Sequence, residues 1–79
     1  FKNPPGDFAA RLIEDSGLKA KKCGNAQISP IHANFIVNLG GASSADILTL
    51  IETIRETVFS KYSIYLEPEV QILQSSEYN

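Results

Sequence analysis

Two carboxylates flank a proline near the C-terminal end of the chain, in YLEPEVQI, residues 65 to 72. A carboxyl group in a partly desolvated cleft has a raised pKa and can donate a proton or stabilise an enolate; on an open sheet face it is an ordinary solvated charge. Period-two alternation groups Glu69 with Gln71 and Leu73, opposite Val70 and Ile72, whereas Glu67 precedes Pro68 and belongs to the connection. Glu69 is therefore the first candidate for chemistry, with a solvent-facing strand residue as the plain alternative.

A second group lies in SPIHANF, where His32 and Asn34 stand two apart at the start of a strand-like run and so share a face. His32 is either a surface or capping residue or a ligand contact at the mouth of the strand. Lys19, Lys21 and Lys22 form a third group: a run of loop charges is mostly just solvated, yet ammonium groups beside glycines are also what a diphosphate requires. Cys23 reads as a small filler, because no base can be assigned to activate it. One Cys and one His cannot build a zinc site, and no metal is expected.

The elements that must position these residues follow from periodicity. Residues 1 to 7 carry two prolines and a glycine and read as a turn. Phe8, Ala9, Leu12 and Ile13 then recur on one helical face, with Asp7 placed to cap and Gly17 placed to stop, which predicts a helix over about 7–16. Lys19 to Lys22 fall in an exposed connection, and Gly24-Asn25 turns the chain into AQIS. In ANFIVNL, Phe35, Val37 and Leu39 take one face and Asn34, Ile36 and Asn38 the other, which predicts a strand. Gly40-Gly41 breaks it, and Ser43 with Asp46 forms a capping box for a helix over 44–60. Ile47, Leu50, Ile51, Ile54 and Val58 mark its core side, and Glu52, Arg55 and Glu56 its wet side. A short strand is expected around Ser63 to Leu66, Val70 and Ile72 are expected to face the helices, and the polar tail from Gln74 to fray. The sum is an α+β fold, two helices packed on a small mixed or antiparallel sheet.

Composition limits the partners. A chain of 79 residues makes one small domain burying roughly 60% of its unfolded surface. Seven Lys and Arg against nine Asp and Glu give a net charge of −2, so no global field favours nucleic acid or an anionic membrane. A single cysteine excludes an internal disulfide and fits a reducing compartment, and no apolar run approaches the roughly 20 residues that span a bilayer. A soluble, cytoplasmic protein is the expectation. FKNPPGDF begins with an aromatic residue and lacks an initiator Met, and the chain is expected to be a domain or fragment of a longer protein.

Three strings in order, FKNPPGDFAARLIEDSGLK, GNAQISPIHANFIVN and LEPEVQIL, resemble the C-terminal substrate-binding domain of the MurB family, UDP-N-acetylenolpyruvoylglucosamine reductases of peptidoglycan synthesis, in its shorter type II branch. The resemblance runs to about Leu73. It implies an FAD-dependent enzyme whose N-terminal region holds the flavin, with NADPH as hydride source and a UDP-sugar enolpyruvate reduced to UDP-N-acetylmuramate. It implies that Glu69 is the catalytic glutamate, second acid of the EPEV motif, and that Asn3, Lys19 and His32 contact substrate, with Lys2 as a neighbour. It also implies that a proton-donating serine lies just upstream of Phe1 and that an arginine comes from the FAD domain, so the chain alone should be inactive and bind no flavin. Gln71 stands where the family commonly has arginine, Asn25 where it has a second glycine, and Cys23 where an aliphatic residue is usual. The alternative is a non-catalytic binding or regulatory module of the same fold.

Overall fold

In the computed structural model, residues 1–69 and 73–74 are described. Pro4, Pro5 and Gly6 turn the chain back, Gly6 at φ +78 and the Asp7 N–H donating to the Pro4 carbonyl at 3.2 Å. The first helix, α1, is Ala9–Asp15 and starts later than the spacing predicts. Phe8 occupies the N-cap with extended backbone and supplies no side-chain cap. The free N–H groups are met from upstream instead: Asp7 Oδ1 accepts from Phe8 at 2.7 Å, and Asn3 Oδ1 from Ala9 at 2.9 Å. Phe8 is thereby turned to solvent, 65% exposed, while Ala9, Leu12 and Ile13 are buried as expected. Gly17, at φ +76, ends the helix in a Schellman arrangement, its N–H donating to Glu14 and that of Leu18 to Ile13.

The connection after α1 is not wholly irregular. Lys22–Cys23 forms a strand, β1, which turns at Gly24 and Asn25 into β2 (Ala26–Ile28). β2 pairs antiparallel with β3 (Ile36–Asn38), setting Ile28 opposite Ile36. β4 (Leu73–Gln74) pairs parallel to β3, which gives a four-stranded mixed sheet in the order β1-β2-β3-β4. The ANFIVNL alternation holds, but it is Ile36 that packs toward the core, and Phe35 and Leu39 are 44% and 50% exposed. Ser63 adopts left-handed backbone at φ 59, and from there to Glu69 the chain forms no ladder, so the short strand predicted around Ser63 to Leu66 is absent; Leu66 is nevertheless buried. The alternation expected at Val70 to Ile72 falls outside the described residues, as does the tail beyond Gln74.

The second helix, α2 (Ser44–Tyr62), opens on the predicted capping box: Ser43 Oγ accepts from the Asp46 N–H, and Asp46 Oδ2 accepts from the Ser43 N–H. Ile47, Leu50, Ile54 and Val58 form its buried stripe and meet Leu12 and Ile13 of α1, Ala26 and Ile28 of β2, Leu18, Ala33 and Leu66 in one core. Each fully buried leucine or isoleucine contributes roughly 1.5–3 kcal/mol, so this stripe is the principal source of stability. At its far end, Tyr62 Oη donates to Asp15 Oδ2 at 2.8 Å and Lys61 Nζ to the Asp15 carbonyl at 2.6 Å, which ties α2 to the end of α1.

Candidate functional site

The Phe1–Asn3 segment is stitched to the rest of the chain by short polar contacts. Asn34 Oδ1 accepts from the Phe1 nitrogen and Asn34 Nδ2 donates to the Phe1 carbonyl, both at 2.9 Å. Next along, the Lys2 N–H donates to the Glu67 carbonyl at 2.9 Å, and the Lys2 and Glu67 side chains form a 3.6 Å ion pair in the open. Glu67 precedes a proline and is thus held near extended backbone, and Pro68 itself has a fixed φ. Glu69 follows on this stiff connection.

Glu69 lines a cleft of about 480 Å³ bounded by the start of β3, by α2 and by the Phe1 and Pro68 segments. Ile36, Ile47, Leu48 and Ile51 supply its apolar wall, and Phe1, Asn34, Glu52, Arg55 and Pro68 also line it. Glu69 itself is exposed. Across the cleft, the Arg55 guanidinium lies over the Tyr65 ring, 4.3 Å from its centroid, and donates to Glu52 at 3.2 Å. Arg55 Nε is covered and has no hydrogen-bond partner among the described residues.

The other candidates are distributed around this cleft rather than in it. Asn3 uses its carbonyl oxygen to hold the start of α1, which leaves its amide NH₂ to donate. His32 is exposed and stands edge-on to Phe35, ring centroids 5.7 Å apart, in a turn pinned by Ser29 Oγ, which accepts from the Ile31 and His32 N–H groups. Asn3 and His32 each lie two residues from the Phe1–Asn34 contact. Lys19 sits past the opposite end of α1, its ammonium paired with Glu14 at 2.5 Å. Spacing missed Asn34 as a partner of Phe1, because the two are 33 residues apart; its only signal was the shared strand-mouth position with His32.

The loop most like a dinucleotide phosphate cradle is Gly40-Gly41 before α2. Three of its donors already have acceptors within the chain: Asn38 Oδ1 takes the Gly40 and Ala42 N–H groups, and the Asp46 carboxylate takes that of Ser43. A carboxylate at this position repels phosphate, so the loop does not fit a flavin dinucleotide. Among the described residues, no group of three or more His, Cys, Asp or Glu could hold a metal ion, and no helix is long and apolar enough to cross a membrane.

Comparison with known proteins gives this arrangement a family. Residues 1–73 match the family described as UDP-N-acetylenolpyruvoylglucosamine reductase, C-terminal domain. The chain belongs to this family. It is 59% identical over 73 residues to the UDP-N-acetylenolpyruvoylglucosamine reductase of Chloroflexus aggregans, covering 92% of the chain and 25% of that protein. It is 57% identical over 72 residues to the enzyme designated UDP-N-acetylenolpyruvoylglucosamine reductase 2 of Symbiobacterium thermophilum, covering 91% of the chain and 23% of that protein. The crystal structure of the reductase MurB from Thermus caldophilus superposes with a TM-score of 0.69 at 54% identity, covering 71% of the chain and 21% of that structure. The chain thus spans about a quarter of the length of the curated relatives it matches. The two-helix α+β architecture is that of the MurB C-terminal domain.

Proposed function

We propose that the chain is the substrate-binding part of a flavin-dependent reductase that converts UDP-N-acetylglucosamine enolpyruvate to UDP-N-acetylmuramate, and that Glu69 is its catalytic carboxylate. The observation that carries this reading is the family match over residues 1–73, which includes an EPEV motif whose second acid lines a cleft. The flavin, reduced by NADPH and held by residues outside this chain, supplies the hydride. Glu69 acts on the enolpyruvyl group as the protonated acid: its O–H donates a hydrogen bond to the negative charge that develops there after hydride arrives, or gives it the proton and is left as carboxylate. With substrate filling the cleft, the apolar wall of Ile36, Ile47 and Ile51 would exclude water from its side of the site and strengthen the interaction of the carboxyl with developing charge. The Asn3 amide, the Lys19 ammonium and the His32 imidazole donate to uridine and diphosphate oxygens, as their chemistry allows.

The test is catalysis by the full-length protein containing this chain. Beyond the one equivalent that reduces the flavin, NADPH should be consumed under anaerobic conditions only when the enolpyruvyl UDP-sugar is added, with UDP-N-acetylmuramate detected by mass spectrometry. NADPH consumption without that product, or no dependence on the sugar nucleotide, overturns the reading.

A further inference from the structure

Asn34 makes two hydrogen bonds to one residue far away in sequence. The Phe1 nitrogen must meet an oxygen and the Phe1 carbonyl an NH₂, so the orientation of the Asn34 amide is set by Phe1 itself. The clamped residue leads directly into the Lys2–Glu67 backbone bond, and Glu67 is joined to Glu69 through a proline that removes one torsion. Leu66, 1% exposed, anchors the same connection from below. Asn34, Phe1 and Glu69 also line one cleft.

We infer that Asn34 is a positioning residue for the reductase: by clamping both backbone polar groups of Phe1 it holds the Phe1–Lys2 strap against Glu67 and so fixes where the Glu69 carboxylate meets substrate. The inference rests on the catalytic role of Glu69 set out above. Asn34 touches no reacting atom and acts only through the strap.

The test is a double-mutant cycle in the full-length reductase, read by stopped flow in both half-reactions. Asn34→Ala is expected to leave flavin reduction by NADPH unchanged and to slow flavin reoxidation by the enolpyruvyl UDP-sugar by roughly 10- to 100-fold, through kcat rather than KM, as misplacement of a reacting group does. Added to Glu69→Gln, Asn34→Ala should slow reoxidation no further, because the carboxylate it positions is already gone. Asn34→Asp keeps the acceptor for the Phe1 N–H and loses the donor; an intermediate rate is expected, and this variant is decisive if Asn34→Ala does not fold. Reoxidation within twofold of wild type in the folded single variants, or multiplicative losses in the double variant, overturns the role of Asn34. If Glu69→Gln alone leaves reoxidation intact, the catalytic reading itself has failed, a different outcome from failure of the clamp.

Discussion

Glu67 and Glu69 stand two positions apart and have different tasks. The Glu67 carboxylate pairs with Lys2 in solvent while its carbonyl anchors the strap; the Glu69 carboxylate takes part in no ion pair among the described residues and faces a cleft. Proline separates them in both senses, since it fixes the backbone and breaks the ladder that would have made them strand neighbours. Gly24 shows how tightly single positions are set elsewhere. It adopts φ +56, and a Cβ built on it would lie 2.4 Å from Asp46 Oδ2, the oxygen that accepts from Ser43. Gly24→Ala must therefore both strain the turn and push Asp46 out of its capping box. A loss of about 1 to 3 kcal/mol is expected in denaturant unfolding, larger than for an exposed alanine substitution without these contacts.

The elements were legible to different degrees, and the differences have physical causes. α2 was read nearly to its ends because it carries a long stripe of branched apolar residues and a local capping box, both encoded within a few residues. α1 was read with part of its cap: Asp7 does accept, from its neighbour Phe8, but Asn3, six residues before Ala9, supplies the other acceptor, which spacing does not reveal. The sheet was hardest, since β1 and β4 are two residues each and exist only through pairing with neighbours. Asp7 still matters to α1 through Arg11, which donates to it from Nε at 2.7 Å and pairs again through Nη2. The Arg11 hydrogen bond and the Phe8 N–H together hold the Asp7 pKa down to about 2, below the ordinary 3.8. A carboxyl whose pKa is depressed on folding stabilises above the unfolded value and loses that contribution as pH falls through the folded one. Asp7→Asn should accordingly lower thermal stability at pH 5 to 7, with the difference from wild type closing between about pH 4 and 2. Added salt should reduce it, because the pair lies at the surface.

At the scale of the molecule, one core stripe and a stitched N-terminal segment bring together residues from the two ends of the sequence, Phe1 and Glu69, with Asn34 between them. Pattern alone identified Glu69 as a candidate but left it a plausible surface charge, because alternation says which side of a strand a residue takes and not what faces that side. Resemblance to the MurB family suggested the role; the match over residues 1–73 establishes the family, and the role of Glu69 within it is the proposal. The chain holds about a quarter of the length of its curated relatives, and in the proposed division of labour it contributes the carboxylate and sugar-nucleotide contacts while the flavin is held elsewhere. That division separates the two half-reactions cleanly. The most direct measurement is stopped-flow absorbance of the flavin in full-length Glu69→Gln. The expected result is reduction by NADPH at the wild-type rate and reoxidation by the enolpyruvyl UDP-sugar slowed by roughly 10²-fold or more, in line with loss of a proton-transfer group. Reoxidation at the wild-type rate would contradict the account and return Glu69 to the solvated charge that its sequence context first allowed.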